Sequence, residues 1–166
     1  MTKSFDELGE REILALAISL EEEDARIYRD YAEKLKEDYP ATAAMLESMC
    51  GVETSHQQRL TELYRARFGE HIPYIRRNDV KGFVKRKPIW LSIALKPKRI
   101  RQAVMGMEAE SRRFYEQAAE QVKSPEVRLL LNELASAEED HQDAFVDEVK
   151  EKKKSGALQK EDTTLH

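Results

Sequence analysis

The sequence predicts an all-α protein, an antiparallel four-helix bundle made of two helical hairpins joined by a long crossover. Three observations predict it. Glycine and proline are scarce, six and five in 166 residues, so long stretches run without a helix breaker. A Glu-x-x-His pair occurs twice, each time in the same apolar frame: Leu46, Met49, Glu53, His56, Leu60, and then Leu131, Leu134, Glu138, His141, Phe145. Steps of three, four, three and four residues keep each set on one helix face. The chain also duplicates itself: Glu21 and Tyr28 recur 87 residues on as Glu108 and Tyr115, and Glu53 recurs 85 residues on as Glu138.

The elements follow in order. Ser4-Phe5-Asp6-Glu7 reads as a capping box that opens the first helix, which runs to about Asp38. Pro40 marks the turn, and a second helix continues to about Phe68, stopped by Gly69. A third helix starts near Lys98 and ends by Lys123. Ser124-Pro125 supplies an N-cap and a first-turn proline for a fourth helix that reaches about Glu151. Residues 70–97 form the crossover, so residues 1–151 make one domain, and the polar stretch 152–166 is a tail or linker.

Both Glu-x-x-His pairs lie in stripes that otherwise face a core, where unpartnered polar groups are costly. The first helix has four acids in a row, Glu21 to Asp24. Its apolar stripe of Leu14, Ala17, Ile18, Ala25, Tyr28, Ala32 and Leu35 includes Glu21, while Glu22 falls with Ser19, Arg26 and Arg29 on a solvated face. On the third helix, Val104, Tyr115, Ala119 and Val122 select Glu108; Glu110 is the alternative, because Ala103, Met107 and Phe114 flank it. The inward set is therefore Glu21, Glu53, His56, Glu108, Glu138 and His141.

One Glu from each of two helices and Glu-x-x-His from each of the other two is the ligand pattern of a di-metal carboxylate centre in a bundle. Four carboxylates balance two divalent cations, with Glu53 and Glu138 placed to bridge and Glu21 and Glu108 to act as terminal ligands. Oxygen-rich ligation with imidazole and no thiolate suits iron or manganese better than copper(I) or structural zinc; two Fe ions are the expectation, with Mn or Zn as substitutes. Tyr28 and Tyr115 are placed to hydrogen-bond ligand carboxylates. His71, beside Gly69, reads as an exposed loop residue.

Composition narrows the function classes. Charged residues make up 36% and the net charge is -4, so no nucleic-acid partner is expected. The single cysteine, Cys50, makes no internal disulfide and no thiolate cluster, and reads as a packing residue. No apolar run is long enough to span a bilayer, and the N-terminus lacks a secretory pattern, so a cytoplasmic setting is the expectation. Charge is uneven: residues 76–101 carry ten Lys or Arg against Asp79 alone, a stretch that either packs across the bundle or meets anionic lipid headgroups.

The segments ISLEEEDARIYRDYA, CGVETSHQQRL, VMGMEAESRRFYEQAAE and ASAEEDHQDAF resemble the rubrerythrin branch of the ferritin-like superfamily over nearly the whole chain. The crossover KGFVKRKPIWLSIALKPKRIRQAV adds a narrower resemblance to the ferritin-like domain of membrane-bound ferritins, where such a bundle precedes a vacuolar-iron-transporter-like membrane domain. The resemblance implies a di-iron centre held by the six residues above, at the inner face of a membrane. It also implies a chain that is the soluble part of a longer protein, fused to or docked on an iron exporter. Two departures count against a self-sufficient rubrerythrin peroxidase: Ser111 stands where those proteins carry a further glutamate, and no rubredoxin-type Cys-x-x-Cys pair exists.

The leading expectation is a ferroxidase-like module that oxidises Fe(II) with O2 or H2O2 and senses or delivers iron. The alternatives are a di-iron or di-manganese oxidoreductase (peroxidase, catalase or quinone hydroxylase) and a metal-stabilised dimerisation module. A homodimer is expected.

Overall fold

A computed structural model describes residues 3–82 and 96–154, with side chains through Asp140. The expected bundle is observed. Helices α1 (Glu10–Leu35) and α2 (Pro40–Phe68) form one hairpin; α3 (Pro97–Gln121) and α4 (Pro125–Lys154) form the other. Pro40, Pro97 and Pro125 each sit at the start of a helix, where a missing N–H costs nothing. Gly69 closes α2 at φ +90°, a conformation that side chains with a Cβ resist, and donates its N–H to Arg65 O at 3.1 Å.

The start of the first helix differs from expectation. Ser4 does donate to Glu7 (2.9 Å), but the pair closes a single 3-10 turn, Phe5–Glu7. Leu8 then runs extended and α1 begins at Glu10, with the Glu12 carboxylate accepting the Gly9 N–H at 3.2 Å. The break lets Phe5 and Leu8 both enter the core, and the Gln121 amide at the end of α3 satisfies their carbonyls at 2.8 and 3.0 Å. At the other end, α4 continues to Lys154, beyond the expected Glu151. The rest of the predicted tail lies outside the described residues.

Between α2 and α3 the first part of the crossover holds a 3-10 turn, Arg77–Asp79, and a two-residue strand, β2 (Val80–Lys81). It pairs in parallel with β1 (Lys3–Ser4), Lys3 opposite Val80 and Ser4 opposite Lys81. Residues 83–95, with the apolar centre of the basic crossover, lie outside the described residues.

Two apolar clusters fill the bundle. One gathers Leu14, Leu16, Leu60, Phe114, Leu131 and Leu134, and takes in Phe5, Leu8 and Val80 from outside the four helices. The other gathers Tyr28, Leu35, Leu46, Met49, Ile100 and Val104. On α1, α2 and α3 the acids selected above fall between the two clusters, so the polar layer crosses the bundle with hydrocarbon above and below. Cys50 packs partly buried against the second cluster, and His71 is exposed. Among the described residues no helix is long and apolar enough to cross a membrane.

Candidate metal centre

All four helices send a carboxylate into this layer. Glu21, Glu53, Glu108 and Glu138 are each 2% exposed or less, and His56 is buried beside them. His56 Nδ1 lies 3.4 Å from Glu138 Oε1, 3.7 Å from Glu21 Oε2 and 3.9 Å from Glu53 Oε2. One donor atom from each of Glu21, Glu53, His56 and Glu138 falls within 4.8 Å of all the others. Ligands at about 2.0–2.2 Å from a common cation lie at most about 4.4 Å apart, so a small inward shift of these donors would close them around one ion.

Glu108 completes the layer from α3. It lies against Glu138 and reinforces the rise in that residue's pKa. Glu110, the alternative on α3, turns the other way and pairs with Arg77 from the crossover. His141 follows Glu138 on α4 as His56 follows Glu53 on α2, but its side chain lies outside the described residues.

Burial makes this layer expensive for a protein alone. Desolvation, followed by the neighbouring Glu108, pushes Glu138 up to about 12. Glu53 is also raised well above the usual carboxylate range, by burial first and then by the negative charge of Glu21. Among the described residues His56 Nδ1 and Glu21 Oε2 meet no hydrogen-bonding cation or amide, and the company Glu138 and Glu53 keep is other carboxyls, Glu108 and Glu21. Glu53 and Glu138, which hold protons for want of a counter-charge, are carboxyls that a cation would satisfy. Hard oxygen donors with an imidazole fit iron or manganese.

The two tyrosines hold the carboxylates crosswise. Tyr28 of α1 donates to Glu108 of α3 at 2.7 Å, and Tyr115 of α3 donates to Glu21 of α1. Burial, then the adjacent carboxylates, raises both phenols well above their ordinary value, so each stays a donor.

The sequence reading missed Asp24. It is 2% exposed and accepts a hydrogen bond from Ser111 of α3 at 3.2 Å. A signal was available, since Ser111 lies 87 residues after Asp24, the offset that relates Glu21 to Glu108. Counting a single apolar stripe on α1 hid it, because Asp24 lies on the flank of that helix that meets α3. Arg77, buried between Glu23 and Glu110, carried no such signal.

Comparison with known proteins agrees with the fold. A search of curated proteins finds no match. Among solved structures, the chain is similar to an uncharacterised conserved protein from Magnetospirillum magnetotacticum MS-1. The two are 24% identical with a TM-score of 0.71, over 87% of this chain and 95% of the other, a likeness of fold. The family model for rubrerythrin matches residues 12–149, which span all four helices and every acid of the buried layer. The chain belongs to the rubrerythrin family.

Proposed function

We propose that this protein binds two iron ions between its four helices and promotes oxidation of Fe(II) by O2 or H2O2. The observation that carries this reading is the buried layer itself, four carboxylates and His56 held out of water together, where burial and then Glu108 push Glu138 up to about 12. Glu21, Glu53, His56, Glu108 and Glu138, with His141, would hold the ions. Two Fe(II) supply two electrons, enough to reduce one H2O2 to water or one O2 to H2O2.

The remaining work belongs to the side chains. Entry of cations displaces the protons held by Glu53 and Glu138, so binding is coupled to proton release. Tyr28 and Tyr115 fix the orientation of Glu108 and Glu21 by reciprocal hydrogen bonds, which keeps ligand geometry from relaxing as charge changes. The apolar clusters on either side keep bulk water from competing for the donors.

The narrower reading has the module sense or deliver iron for a membrane exporter. Its support is the crossover's resemblance to membrane-bound ferritins and the ten cations of residues 76–101. Anaerobic Fe(II) titration of the full chain should saturate at two irons per chain, and exposure to O2 or H2O2 should then oxidise them faster than the same iron in buffer. Uptake of fewer than two irons overturns the di-iron assignment. Uptake of two with oxidation no faster than in buffer overturns the ferroxidase reading and leaves a metal that only locks the bundle.

A further inference from the structure

The contacts between α1 and α3 have two-fold character. Tyr28 meets Glu108, Asp24 meets Ser111, and Glu21 meets Tyr115, so residue numbers fall on one helix as they rise on the other and the helices run antiparallel. Each contact is also self-complementary under the internal repeat. Glu21 and Glu108, Asp24 and Ser111, and Tyr28 and Tyr115 are equivalents 87 residues apart. The tyrosine contacts are thus one interaction made twice, as at an isologous interface. Asp24 and Ser111, equivalents that touch each other, mark where the pseudo-two-fold axis passes.

One residue outside the repeat straddles that axis. Arg77, from the crossover and 5% exposed, directs Nε to Glu23 Oε1 at 3.2 Å and Nη1 to Glu110 Oε1. Glu23 and Glu110 are again equivalents 87 residues apart, and each stands two residues after a terminal carboxylate of the buried layer, Glu21 or Glu108. A guanidinium has five N–H donors in a rigid fork and can serve two carboxylates in a fixed geometry; an ammonium is a point charge on a flexible stem. Across the opposite seam, Arg59 of α2 and Glu133 of α4 also pair, but both side chains are about half exposed.

We propose that Arg77 is a positioning residue for the metal pair. By gripping equivalent carboxylates on both sides of the pseudo-two-fold axis, it sets the spacing of α1 and α3 at which Glu21 and Glu108 both reach the centre. This rests on the di-iron reading. A first cation can be held by Glu21, Glu53, His56 and Glu138, but a pair needs α3 held in register. Loss of Arg77 therefore weakens the second metal more than the first.

Anaerobic Co(II) titration of the full chain, followed by its visible absorption, tests this. Wild type should take two Co(II) per chain. Arg77→Gln and Arg77→Ala should weaken the second site about tenfold or more, the effect expected on losing an outer hydrogen-bonding partner, and alter the two-metal spectrum. Arg77→Lys should restore part of the affinity. The double variant Glu23→Gln with Glu110→Gln should reproduce the loss, and adding Arg77→Gln to it should cost nothing further, since all three changes remove one interaction. Arg59→Ala should leave the titration unchanged. If the Arg77 variants fail to fold, the single variants Glu23→Gln and Glu110→Gln, each removing one arm, should show a smaller loss in the same direction. Arg77 variants that melt earlier but keep the second-site affinity and spectrum of wild type overturn the proposal. A wild type that binds fewer than two Co(II) overturns the di-metal reading instead, and this proposal with it.

Discussion

Replacing Glu138 with Gln separates what the buried layer costs the protein from what it provides. In the metal-free fold, burial and then Glu108 push this carboxyl from 4.5 up to about 12. Between those values the folded chain keeps a proton that the unfolded chain releases, so this carboxyl costs nothing below about pH 4.5 and costs more as pH rises toward about 12. Each retained proton contributes a slope of about 1.4 kcal/mol per pH unit. At about pH 7.5, roughly three units above the unfolded value, the proton that Glu138 keeps among its neighbouring carboxyls accounts for up to about 4 kcal/mol. Gln has nearly the same shape and is neutral at every pH. Metal-free Glu138→Gln should therefore be more stable than wild type near neutrality by up to about 4 kcal/mol, or roughly 8–16 °C in Tm for a chain of this size. Near pH 4.5 the two should converge. Adding Fe(II) anaerobically should reverse the order, because the amide brings no negative charge to the cations. Circular-dichroism melts in chelator and in Fe(II), across the acid-to-neutral range, make the comparison. The reasoning is refuted if wild-type stability in chelator does not change with pH, or if Glu138→Gln is the less stable protein near neutrality.

Other outcomes follow from the same layer and its packing. Tyr115→Phe and Tyr28→Phe should each weaken metal affinity about tenfold or more, and to a similar extent because the contacts are reciprocal; competition against a chromophoric chelator measures this. Leu131→Ala, at a fully buried position of the larger apolar cluster, should cost about 2–5 kcal/mol in chemical denaturation. It should leave the metal stoichiometry at the wild-type value, because the cavity opens in hydrocarbon and not among the ligands.

What could be read in the sequence, and what could not, divides by range. α2 and α4 were legible because Leu46, Met49, Glu53, His56, Leu60 and their repeat are a pattern with a single helical solution. Glu108 was separable from Glu110 by its stripe, and the structure buries the first and turns the second outward. The start of α1 was misread because Ser4 and Glu7 fit a helix cap locally; only Gln121, over a hundred residues away, makes the break at Leu8 affordable to the backbone. The β1–β2 pair is two residues long and joins the N-terminus to the crossover, so no periodicity announces it. Asp24 and Arg77 escaped for a related reason. Both lie where α1 meets α3, Asp24 on Ser111 and Arg77 between Glu23 and Glu110, a flank that a single apolar stripe on α1 does not mark.

That N-terminal strap has a kinetic consequence. Besides Lys3 on Glu12 of α1, residues 3–8 are held by distant partners: Val80 and Lys81 beyond the first hairpin, and Phe114 and Gln121 in the second. They can settle only after both hairpins have docked, and their loop-closure entropy is recovered last. In native-state hydrogen exchange the strap should therefore open before the helices it covers, making its amides a reporter of whether the hairpins have come together.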